Sequence, residues 1–143
     1  MHAITRISLA GLFTVALAGA ALAQETYPDL RGTWLGKGSA IIVGSPKHHE
    51  KGQANTPRLS EQSFTFTITD QKGDRFWGTI ESPKGKEMII GILAHDKKRV
   101  LVSDALGTAE GVLLDANTFE WCYDQHSKDA TMLACNTVRR QAK

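Results

Sequence analysis

From residue 30 onward, apolar side chains recur at every second position. In SFTFTITD, residues 63–70, Phe64, Phe66 and Ile68 share one face and Thr65, Thr67 and Thr69 the other. That period belongs to a half-buried β-strand. QKGD at 71–74 is turn material, and RFWGTIES at 75–82 reads as the returning strand. The pattern continues through 87–94, 99–104, 109–115, 118–125 and 131–140, with short polar connections between. Together with a stretch opening at Gly32, this predicts eight consecutive strands and no helix. Short connections favour pairing of sequence neighbours. Closure then removes the two free edges. The expectation is an all-β chain, an eight-stranded antiparallel up-and-down β-barrel, with a sandwich of two four-stranded sheets as the alternative. One connection is long: residues 44–62, GSPKHHEKGQANTPRLSEQ, read as a 19-residue polar loop. Loops of that length inside a compact domain usually carry function or are disordered.

The first strand opens within DLRGTWLGKG, residues 29–38, which sets Trp34 among Gly32, Gly36 and Gly38. On a strand, Trp34, Gly36, Gly38 and Ala40 point the same way. Turned inward, Trp34 plugs one barrel end, and the small residues beyond it leave space. A cup is expected.

The segment before this strand changes the picture of where the protein works. MHAITR is followed by a 16-residue apolar run at 7–22 and by Ala21-Leu22-Ala23. This is the pattern of a cleaved signal peptide over residues 1–23, and the run is short of the roughly 20 residues a bilayer span needs. The expected mature domain is 24–143, in the periplasm or secreted. Of the 17 Lys and Arg and 15 Asp and Glu, it keeps 16 and 15. That balance argues against a nucleic-acid partner, which calls for a concentrated basic face. No later apolar run is long enough to span a membrane.

Cys122 and Cys135 sit symmetrically about Lys128-Asp129. In an exported chain an even pair reads as a disulfide, stapling the last hairpin from outside at about 3 kcal/mol in the chain-entropy model. The same register sets Trp121 against Asn136, Tyr123 against Ala134 and Phe119 against Val138. Phe119, Trp121 and Tyr123 are then inward, and parity turns Asn136 and Arg140 inward as well.

A Gly-x-Trp on the first strand (Gly32, Trp34), with Arg139 or Arg140 on the last, resembles the calycin group: lipocalins, avidins and related bacterial barrels. The resemblance implies that Trp34 closes one barrel end with an Arg packed across its ring; parity favours Arg140. The chain departs from lipocalins in its shortness and its missing helix, and from avidins in lacking their Trp and hydroxyl run. Bacterial metalloprotease inhibitors share the barrel and the Gly-x-Trp, but usually carry their Cys pair early.

Catalytic signatures are missing. There is no Gly-x-Ser-x-Gly, no His-Glu-x-x-His and no Gly-rich phosphate loop. The aspartates near strand ends fit turn chemistry, and His48-His49-Glu50 reads as part of a solvated loop. No enzyme, cofactor or metal is expected. The expected function is binding of a small, mainly apolar molecule inside the barrel by Trp34, Phe66, Trp121, Tyr123 and Asn136. The alternative is a barrel that binds a protein, such as a secreted or periplasmic hydrolase.

Overall fold

The computed structural model describes residues 26–142; the leader expected at 1–23 lies outside them. Eight strands follow in chain order: β1 Gly32–Gly44, β2 Arg58–Lys72, β3 Arg75–Ser82, β4 Gly85–Leu93, β5 Arg99–Ser103, β6 Thr108–Asp115, β7 Thr118–His126 and β8 Ala130–Arg140. Each pairs antiparallel with its sequence neighbour, and β8 returns to β1, closing the barrel. Every strand therefore has a partner on both sides and no edge is left open.

The second strand differs from expectation. It begins at Arg58, not at Ser63, so residues 58–62 are ladder rather than loop and pair with Gly38 to Ile42 of β1. Backbone groups of the long first strand need partners on both sides, and residues 58–62 supply them. Their inward side chains are polar, so no hydrophobic alternation marks them. The true connection is residues 45–57.

Core packing is concentrated at the end where the chain enters. Trp34, Phe66, Ile68, Phe76, Ile89, Leu93, Val100, Val102, Phe119, Trp121 and Val138 form one buried cluster. Its rings meet edge to face: Trp34 with Phe119 at 5.0 Å and Phe66 with Trp121 at 4.5 Å between centroids, a favoured aromatic geometry. Phe76 takes the inside of β3 and Trp77 the outside.

Residues 27–31 complete this end. Leu30 is buried, and its carbonyl accepts the Trp34 indole N–H at 2.9 Å. Its own N–H donates to Gln71, whose amide nitrogen donates onward to the Pro28 carbonyl. Arg140 lies over the Trp34 ring at 4.2 Å and donates to the carbonyls of Asp29, Arg31 and Ala116. One guanidinium thus ties the last strand, the entering segment and the β6–β7 turn to one ring. Gly32 has its open side toward Arg140.

Cys122 and Cys135 are opposite each other across β7 and β8, disulfide-bonded, with Cα atoms 4.1 Å apart and both side chains outside the barrel.

Candidate functional site

The opposite end carries the cavity. Its walls are rungs of inward residues read across the sheet. Trp121 of β7 pairs with Asn136 of β8, which pairs with Gly38 of β1, which pairs with Gln62 of β2. One rung nearer the mouth run Tyr123, Ala134, Ala40 and Ser60. These eight residues, with Phe64, Ile80, Ser82, Glu87, Gln125, Met132 and others, surround a cavity of about 110 Å³.

The space expected above Trp34 is partly occupied. A Cβ on Gly36 would stand 2.7 Å from the Phe64 ring and 2.5 Å from Val138; one on Gly38 would meet Asn136 Oδ1 at 1.7 Å. The two glycines do not leave a void. They let a ring and an amide lean across the first strand. The floor of the cup is therefore Phe64 and Trp121, not Trp34.

The expected site residues fall into two groups. The structure brings Trp121, Tyr123 and Asn136 together on the cavity wall, whereas Trp34 and Phe66 are not among its lining residues. Both are almost fully buried, Trp34 against Phe119 and Arg140, Phe66 against Phe64 and Trp121. They pack in the core beneath the floor.

The 45–57 connection folds over the mouth. His48 Nε2 lies 2.8 Å from Glu87 Oε1, and His48 Nδ1 lies 3.3 Å from the Lys84 carbonyl. Lys47 reaches the same Glu87 oxygen at 3.1 Å. Glu50 pairs with Lys84, and its carbonyl accepts a hydrogen bond from Arg58. The loop is thus latched to the β3–β4 hairpin, and His48 and His49 become wall residues rather than members of a solvated loop. Burial pushes the Glu87 carboxyl up, but hydrogen bonds from His48 and Lys47 outweigh it and hold the group below its usual range. His49 is pushed down by burial, with the charge of Arg58 adding to the effect.

On the far wall, the Tyr123 hydroxyl donates to Asp104 Oδ1 at 3.0 Å. Burial, then the Asp104 charge, raises its pKa far above the ordinary tyrosine value. The same Asp104 oxygen accepts the backbone N–H groups of Leu106 and Gly107, so the turn role expected of this aspartate is accompanied by a contact to the site.

Glu87, Gln62, Ser60 and Gln125 carry no signal of the site in the sequence, and the two histidines read there as part of a solvated loop. In EMIIGIL both faces of the strand are apolar, so parity cannot tell that Glu87, Ile89 and Leu93 turn inward. Among the described residues no group of three or more His, Cys, Asp or Glu is placed to hold a metal ion. No described helix is long and apolar enough to cross a membrane.

On the outside of β3, β4 and β5, Trp77, Met88, Ile90, Ile92 and Leu101 are exposed. Trp77 stands opposite Ile90, and Ile92 opposite Leu101, so these form one apolar strip.

A closed eight-stranded barrel, shut at one end and carrying a cavity at the other, is a calycin-like architecture. No family model matches the sequence, and no curated protein matches it. Among solved structures the chain is similar to the S-type phycobiliprotein lyase CPES from Guillardia theta, at 10% identity and a TM-score of 0.34, over 80% of this chain and 89% of that one. At that degree of superposition the similarity says nothing of what fills this cavity.

Proposed function

We propose that the protein is an exported binding barrel that takes a small, mainly apolar molecule into the cavity under the 45–57 loop. The observation that carries this reading is the cavity itself, about 110 Å³, floored by Phe64 and Trp121. Drug-sized ligands occupy roughly 300 Å³ or more, whereas an apolar cavity of about 150 Å³ accepts a benzene ring. The ligand is therefore no larger than a single ring, or a larger molecule that inserts only one end. Tyr123 and Asn136 serve as polar contacts on an otherwise mixed wall. The disulfide supports an oxidising compartment, the periplasm or the exterior.

Intrinsic Trp fluorescence, followed on addition of ring-sized apolar probes, tests this. Binding should be seen with the wild type and lost in Ala40→Leu, which fills the cavity from β1 without removing a floor residue. Trp121→Ala should weaken binding at least several-fold. A wild type that binds no such probe defeats the reading.

One observation favours a second reading, in which the barrel is a stand for protein contact. The strip of Trp77, Met88, Ile90, Ile92 and Leu101 is the sort of exposed apolar patch that marks an interaction surface. Inhibition of a secreted metalloprotease by the wild type, and its loss in Trp77→Ala/Ile90→Ser, would support this over the cavity.

A further inference from the structure

On the cavity wall, Trp121 and Asn136 each hold a buried polar atom with no partner, whereas the buried His48 Nε2 has the Glu87 carboxylate 2.8 Å away. Trp121 and Asn136 are 5% and 7% exposed, yet neither the Trp121 indole Nε1 nor the Asn136 side-chain Oδ1 makes a hydrogen bond. The residues are direct neighbours across β7 and β8 and both line the cavity. A buried polar group left without a partner costs about 1–3 kcal/mol, and buried polar atoms are nearly always satisfied. The arrangement is also built into the first strand. Asn136 Oδ1 occupies the position that any side chain on Gly38 would need.

Resting on the reading of the cavity as a ligand site, we propose that its occupant presents an uncharged end, with an acceptor for the Trp121 N–H and an adjacent donor for Asn136. A primary carboxamide or a lactam has this chemistry; a carboxylate does not. Indole can only donate, which fixes the acceptor on the ligand. The charge on the wall then excludes an acid. Glu87 and Asp104 both line the cavity as carboxylates. Lys47 is engaged with Glu87; Arg58 gives a terminal nitrogen to the Glu50 carbonyl and keeps an unpartnered Nε, but neither cation lines the cavity. His48 is held between Glu87 and the Lys84 carbonyl. A carboxylate entering here would lose its water and meet no Lys or Arg on the cavity wall, a costly transfer. A neutral amide loses less and satisfies both orphaned groups.

Benzamide, benzoate and toluene have similar size and differ at one substituent, so they separate binding of a ring from recognition of an uncharged amide. Each is titrated at neutral pH into the wild type, Trp121→Phe and Asn136→Ala, with affinities read from backbone amide shifts by NMR and, where Trp121 is present, its indole N–H resonance followed as well. Benzamide should bind the wild type at least about tenfold more tightly than either benzoate or toluene, equivalent to about 1.4 kcal/mol, and should shift the Trp121 indole resonance. Trp121→Phe and Asn136→Ala should still bind toluene but lose the preference for benzamide. Equal binding of benzamide and toluene, or stronger binding of benzoate, overturns the uncharged-amide proposal while leaving the cavity as a binding site. Failure of all three probes to bind at millimolar concentration overturns both.

Discussion

The guanidinium of Arg140 lies 4.2 Å above the ring of Trp34, although the two residues are more than a hundred positions apart. They are direct partners in the β1–β8 ladder that closes the barrel. A cation over an indole face is itself favourable, and here the same cation also satisfies three backbone carbonyls. The contact marks where the first and last strands meet and where the chain's entry is sealed.

Removing Trp34 should accordingly be costly. Trp34→Ala is expected to lower stability by about 3–5 kcal/mol, the range for a buried large aromatic. Arg140→Ala should cost about 1.5–3 kcal/mol, in the range for hydrogen bonds made by a charged group. Urea denaturation followed by fluorescence measures both. A loss below about 1 kcal/mol for Trp34→Ala would be incompatible with its position in the core.

A methyl group at Gly38 should disturb the site more than the barrel. Its Cβ would overlap Asn136 Oδ1 at 1.7 Å, so the amide on the cavity wall must move. Gly38→Ala is expected to cost about 1–3 kcal/mol, as overpacking does, and to abolish probe binding. Strand content by circular dichroism should be unchanged. If probe affinity also survives, the cavity assigned here is not the binding site.

The disulfide should contribute stability without being needed for the fold. Cys122 and Cys135 are separated by 13 positions, and closing so short a loop is worth about 3 kcal/mol. The double variant Cys122→Ala/Cys135→Ala should lose about 2–4 kcal/mol and keep its strand signal, because the aromatic core lies away from the outward-facing pair. Collapse of the strand signal under native conditions would count against an independent core.

Acid should release the loop. The folded pKa of Glu87 lies below its ordinary value of 4.5. Its links to His48 and Lys47 therefore stabilise the latched loop fully above that value, and they are lost as pH falls through the lower folded one. Limited proteolysis within residues 45–57 should accelerate over that acid range. Asp29 and Asp96 are also held low by Arg31 and Arg99, so acid alone acts at several places. Glu87→Gln isolates the latch: it should cut faster already at neutral pH and lose most of the acid dependence. Identical cleavage profiles for wild type and variant would remove Glu87 from the latch.

Much of the architecture was legible in the chain because one physical signal recurs: where one face of a strand is apolar, a period of two names that face. That signal alone yields the strand count, the inward Phe119, Trp121 and Tyr123, and the outward Cys pair. It also yields the parity that turns Arg140 toward the barrel interior. It is silent in two situations, and both coincide with the cavity. Around Glu87 the neighbours Met88, Ile89 and Ile90 are all apolar, so neither face stands out. Along Arg58, Ser60 and Gln62 the inward face is polar, so the strand resembles a loop. How high the floor stands was decided only in three dimensions. Gly36 and Gly38 look like empty space along one strand. Filling them is the work of Phe64 on the strand to one side and Val138 and Asn136 on the strand to the other. The latch of His48 on Glu87 is likewise tertiary, since it joins a connection without periodicity to a hairpin some forty residues away.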